Sequence, residues 1–147
     1  AGRQACPHWD RSAGAVWIGM NAATTRQDLC QAVLEGVALR SAEVITAMDD
    51  HLNVTDQLSI DGGLARSPYF AQFLADILQR TIVTQRFDEL TALGCAALAA
   101  RGLGLELPEL DNTRTDYRPR IDRATADAWR CTFSAAVSRA QGWSQPR

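Results

Sequence analysis

A layered α/β fold with at least partly parallel strands is the class predicted by this 147-residue sequence. Short apolar runs that read as strands alternate with longer segments of helical periodicity, and such alternation favours helices laid on a sheet. A glycine pair, Gly62-Gly63, stands where an apolar run gives way to a helix start, as at a strand–helix junction. The composition is 46% hydrophobic and 22% charged, which fits one domain. A chain of this length buries roughly two-thirds of its unfolded surface, enough for a core.

The elements follow in order. Ala15 to Met20, "AVWIGM", is apolar and partly β-branched or aromatic, and reads as a strand. Thr25 followed by Asp28 has the spacing of a capping box. From Asp28 to about Met48, Cys30, Val33, Leu34, Val37, Val44, Ile45 and Met48 mark a helical stripe interrupted by Ser41. Gly36 within it costs about 1 kcal/mol relative to Ala; it marks either a close helix–sheet contact or nothing special. The turn-rich "DDHLNVTD" connects to a second strand, "QLSID", which ends at the glycine pair. Ser67 and Pro68 suit the N-cap and first position of a helix. That helix places Phe70, Phe73, Leu74, Ile77 and Leu78 on one face. "TIVTQ" is a third strand, and Thr91 opens an Ala-rich helix that stops near Gly102 and whose small residues permit close packing. A polar loop with Pro108 leads to "YRPR". A last helix runs from about Thr125 to Gln141 with Trp129, Phe133, Val137 and Ala140 inward.

Three strands make a thin parallel core with open edges. The opening "ACPHWD" reads as mid-loop, so an upstream portion is expected; otherwise the first residues form an edge strand.

The remaining composition closes several classes. The net charge of -2, with no long run of one sign, gives no footprint for nucleic acid. No apolar stretch reaches the roughly 20 residues that cross a bilayer, and the first ten residues lack a signal-peptide core. A cytoplasmic location is the expectation. All 15 basic residues are Arg. Without Lys there is no Walker A loop, no protein-kinase strand lysine and no Schiff base. Cys30, Cys95 and Cys131 are expected as reduced core residues, and Cys6 with His8 falls short of a zinc site.

The glycine pair admits two readings. One is a plain tight turn. The other is backbone left bare so that a ligand can approach, since ligands of open α/β sheets sit beyond the carboxyl ends of the strands. The N–H groups at the start of the next helix could face an anion or a polar ring.

The surrounding residues resemble the FGGY carbohydrate kinases. Ala15, Trp17, Gly19, Met20, Asp28, Leu29, Ala32, Val33, Leu34 and Glu35 fit a signature of that family. "SPYFAQFLADIL", "TALGCAALAARGLG" and the tail "AAVSRAQGW" are similar to its later helices. Trp9-Asp10, Asp61 to Gly63 and Thr91 to Gly94 look like its glycerol kinase branch, while "PHWD", "AVLEG" and "GGLARSPYF" resemble ketopentose kinases. The resemblance implies an actin-like, ribonuclease H-like ATPase domain with a mixed sheet and flanking helices. Residues 1–147 would be the later part of the C-terminal, nucleotide-binding domain, incomplete by itself.

The implied activity is ATP- and Mg²⁺-dependent phosphorylation of a polyol or sugar hydroxyl. Gly62 and Gly63 match the pair that approaches the nucleotide, and Gly94 matches a helix-packing position. Ser67 stands where the family commonly places an Asn near the adenine, and its hydroxyl can still make a hydrogen bond. The family's Asp-x-Gly-Thr phosphate loop and catalytic aspartate have no counterpart here, so no catalytic or metal-binding residue is assigned. Asp10, Glu35 and Asp61 are read as solvated or capping carboxylates. The expected partners are ATP, the sugar or polyol, the upstream portion of the same protein and, through exposed apolar surface, further copies of the chain. The alternatives are a non-catalytic module that binds nucleotide weakly or packs against partners, and an unrelated interaction domain in which the glycines only turn the chain.

Overall fold

The computed structural model describes residues 7–85, 90–105 and 113–142. Thr25 begins the first helix, α1 (Arg26–Asp49), with the full capping box: its hydroxyl accepts from the Asp28 N–H, and the Asp28 carboxylate accepts from the Thr25 N–H. The chain then forms β1 (Gln57–Ile60), a single 3-10 turn (Gly63–Arg66), α2 (Pro68–Leu78) and β2 (Thr81–Gln85). Next come α3 (Leu90–Gly102), β3 (Arg114–Tyr117) and α4 (Arg123–Ala140).

The sheet order is β1-β2-β3. β1 and β2 are parallel, with Gln57 opposite Thr81 and Ile60 opposite Thr84, and α2 makes the crossover between them. β3 returns antiparallel to β2, with Ile82 opposite Tyr117. The sheet is therefore mixed.

α2 is the centre of the molecule. Every residue from Phe70 to Ile77 is buried except Gln72. One side meets Ile82 and the partly buried Leu58, Ile60 and Tyr117 of the sheet; another meets Ala38 and Ala42 of α1. Those two alanines are one turn apart, and their small side chains let the helices approach closely. Asp76 is also buried, and its carboxylate accepts from the Arg120 N–H at 2.7 Å and Gln72 Nε2 at 3.0 Å. Gln72 reaches Arg118 O at 2.8 Å and Gln79 reaches Ile121 O at 3.1 Å. The connector before α4 is thus strapped to α2 by polar bonds.

Several expectations are corrected. Ala15 to Met20 is not a strand; Val16, Trp17, Ile18 and Met20 are exposed. β-rich composition makes a strand only where a neighbour accepts its backbone bonds, and no described strand lies beside this segment. Cys30, Cys95 and Cys131 are exposed rather than core. Each lies on a helix, but helical periodicity does not say which face is covered. Val33 and Val37 are exposed too, so the α1 stripe is narrower than its apolar pattern. α3 buries none of its residues, and a Cβ at Gly94 or Gly36 would meet nothing within 4 Å. Neither glycine marks a close helix contact here.

β3 lies in a stretch read as loop. Its "RTDY" is polar, and its ladder with β2 creates it. Trp129 is half-exposed and Phe133 partly buried, whereas Val137 and Ala140 are buried as expected. Cys6 and Pro108 lie outside the described residues. Among the described residues, no helix is long and apolar enough to cross a membrane.

Candidate functional site

Because β1 and β2 run parallel, their carboxyl ends share one side of the sheet, and Asp61-Gly62-Gly63 leaves β1 there. Gly62 has φ +92° and ψ -179°, a conformation essentially confined to glycine. This position therefore has a purely conformational reason for its residue. Gly63 has none: its φ is ordinary, and an added Cβ would meet nothing within 4 Å. The chain's own packing does not demand glycine at 63, and open space lies over its backbone.

The turn closes through Ala65 N–H to Gly62 O and Ser67 N–H to Leu64 O, both at 3.0 Å. Ser67 is the N-cap of α2, as expected. Its hydroxyl oxygen accepts from the Phe70 N–H at 3.3 Å, and Pro68 occupies the first turn. The hydroxyl proton is left for another acceptor. Gly62, Gly63 and Ser67 thus lie along one exposed strand–helix corner: bare backbone, then a helix N-terminus carrying partial positive charge.

The three carboxylates read as solvated or capping have distinct positions. Asp10 accepts from the Ser12 N–H and hydroxyl at 2.7 and 2.6 Å and from the Gly142 N–H at 3.0 Å. Those bonds, the Ser12 hydroxyl first, hold its pKa below the usual carboxylate value. Asp10 joins the segment before α1 to the end of α4. Asp61 is exposed beside the glycines.

Glu35 does more than face solvent. It accepts the Tyr69 hydroxyl from the second residue of α2, and Gln31 Nε2 at 2.7 Å. Tyr69 was not singled out from the sequence: nothing local signals a bond spanning 34 positions. Its ring stacks on Phe73 with centroids 6.2 Å apart, and Phe73 stacks on Trp129 at 5.7 Å.

Desolvation, then the Glu35 bond and charge, push the Tyr69 pKa from 10.0 up to about 12. The unfolded chain releases this proton first as pH rises. The group's stabilising contribution is therefore whole below about pH 10 and is lost as pH climbs from about 10 towards 12. Urea midpoints measured across that window should fall less steeply for Tyr69→Phe than for the parent chain. Identical slopes would refute the assignment. Among the described residues no group of three His, Cys, Asp or Glu is arranged to hold a metal.

A family model for the FGGY family of carbohydrate kinases, C-terminal domain, matches residues 2–103. The chain belongs to the FGGY family of carbohydrate kinases. It is similar to the glycerol kinase of Alkalilimnicola ehrlichii, 37% identical over 142 residues, covering 95% of this chain and 29% of that protein. The glycerol kinase of Thermus brockianus is 37% identical over 146 residues, with the same coverages. The crystal structure of Plasmodium falciparum glycerol kinase with ADP superposes with a TM-score of 0.78 at 26% identity, over 92% of this chain and 28% of that one. Ligand-bound xylulose kinase from Lactobacillus acidophilus, at 20% identity and a TM-score of 0.69, covers 91% of this chain and 28% of that one, and shares the fold. The fold is the actin-like ATPase type of these sugar kinases. The chain spans about 29% of the length of the relatives it matches.

Proposed function

We propose that the complete protein transfers a phosphoryl group from ATP to a polyol or sugar hydroxyl, with glycerol the first candidate acceptor and a ketopentose the second. The chain then serves as the later part of a C-terminal, nucleotide-binding domain. It supplies the adenosine side of the cleft through Gly62, Gly63 and Ser67. The observation that carries this reading is Gly63: a glycine with ordinary φ and open space above it, at a parallel strand's carboxyl end, in a chain 37% identical to a glycerol kinase. The ADP in the Plasmodium falciparum glycerol kinase structure supports a nucleotide as the occupant.

The donor set consists of main chain, a hydroxyl and a helix N-terminus, with no Lys anywhere in the sequence. Mg²⁺, the phosphate loop and the catalytic base belong in this reading to the rest of the protein, and the location is cytoplasmic. Packing of the exposed Val16, Trp17, Ile18 and Met20 falls to that remainder or to another copy.

The test is ATP- and Mg²⁺-dependent phosphorylation by the full-length protein, with glycerol and a panel of ketopentoses as acceptors. Turnover is expected on at least one, glycerol foremost. No turnover on any acceptor, with weak or absent nucleotide binding by calorimetry, would instead favour a non-catalytic packing module.

A further inference from the structure

The glycine turn has no fully buried residue from Gly63 to Arg66, and it closes through its own backbone bonds, Ala65 N–H to Gly62 O and Ser67 N–H to Leu64 O. The buried run of α2 starts only at Phe70. Ser67, Pro68 and Tyr69 lie between the exposed turn and that anchored stretch. The first turn of a helix lacks intrahelical partners for its N–H groups and frays most readily. Here the Ser67 cap bonds the Phe70 N–H within the helix, and a second hold ties this turn to neighbouring elements.

Tyr69 does so from both ends of its side chain. The ring lies on Phe73, which is itself buried and stacked on Trp129. The hydroxyl donates to Glu35 of α1, and Gln31, one turn earlier, donates to the same carboxylate oxygen and orients it. α1 is in turn seated on α2 through Ala38 and Ala42.

We propose that Glu35 and Tyr69 are positioning residues for the nucleotide corner: their hydrogen bond fixes the start of α2 and, with it, Ser67 and the adjoining glycine turn. This rests on the reading of Gly62, Gly63 and Ser67 as the nucleotide wall. Neither residue touches the nucleotide. They act by holding the wall in the shape the ligand needs, so that binding does not have to order it.

The experiment uses the full-length kinase and three variants. Tyr69→Phe keeps the ring stack and removes the donor. Glu35→Ala removes the acceptor, and Glu35→Gln retains one. KM for ATP, KM for the acceptor alcohol, kcat and melting temperature are measured for each, with Gly63→Val as the reference for the wall itself. Tyr69→Phe and Glu35→Ala should raise KM for ATP about three- to tenfold, the span of one net hydrogen bond. KM for the acceptor should stay close to the parent's, the melting temperature should fall only by what the loss of one net hydrogen bond costs, and Glu35→Gln should behave nearly as the parent.

An unchanged KM for ATP in Tyr69→Phe, alongside a raised one in Gly63→Val, overturns the positioning role alone. So does a rise that merely tracks a lower melting temperature and that Glu35→Gln shares. If Gly63→Val also leaves KM for ATP unchanged, the nucleotide-wall reading fails, and this inference with it.

Discussion

Replacing Gly63 with Val in the complete protein, read as an ATP-dependent kinase, should raise KM for ATP about ten- to a hundredfold and leave the melting temperature almost where it was. The fold tolerates the change because a Cβ at 63 enters open space and the backbone φ is ordinary. On the proposed reading the nucleotide does not, because two added methyl groups and the Cβ stand where its surface would meet main chain. Intruding on a close contact costs about 1–3 kcal/mol, and each 1.4 kcal/mol is about tenfold in affinity. Gly62 should show the opposite signature. Its φ of +92° is strained for any side chain, so Gly62→Ala should lower stability by about 1–3 kcal/mol even with no nucleotide present. Paired melting curves and ATP titrations separate the two. Gly63→Val with parental ATP affinity would mean that the second glycine only turns the chain.

Removing the Asp76 carboxylate should destabilise the chain by about 2–3 kcal/mol. The group is buried on α2, and its Oδ1 accepts both the Arg120 N–H and Gln72 Nε2. Asp76→Ala leaves the Arg120 N–H without that acceptor and loosens the connector between β3 and α4, a local loss that packing elsewhere does not offset. Asp76→Asn keeps one oxygen and should lose about half as much. Asp127→Ala is the control: its carboxylate is 58% exposed and 3.8 Å from Arg130, and such surface pairs contribute about 0–1 kcal/mol. Denaturant midpoints of the three variants measure the order. Equal effects for Asp76→Ala and Asp127→Ala would deny the buried strap.

Much of this architecture was legible because its signals are local. A threonine three residues before an aspartate, and a serine followed by proline, satisfy helix starts with their own side chains wherever the chain goes. β2 was read at its observed limits because "TIVTQ" is rich in β-branched residues. The turn at Gly62 was legible for a related reason: positive φ leaves a mark on residue choice.

The misreadings share one cause. Val16, Trp17, Ile18 and Met20 have strand composition, yet a strand is a relation between two segments, and no described partner lies beside this one. Arg114 to Tyr117 is the converse case, polar but made into a strand by its antiparallel ladder with β2. Cys30, Val33 and Val37 on α1 were assigned to the core although the helix fully buries only Ala38 and Ala42.

The sequence by itself determined the starts of α1 and α2, the β1–α2–β2 unit, the turn at Gly62 and the family, because each rests on residue types at short spacing. The tertiary structure decided which faces are covered, that Asp76 binds the 118–121 connector and that Tyr69 meets Glu35. Those depend on distances between residues tens of positions apart, and such distances exist only once burial of α2 has brought the elements together.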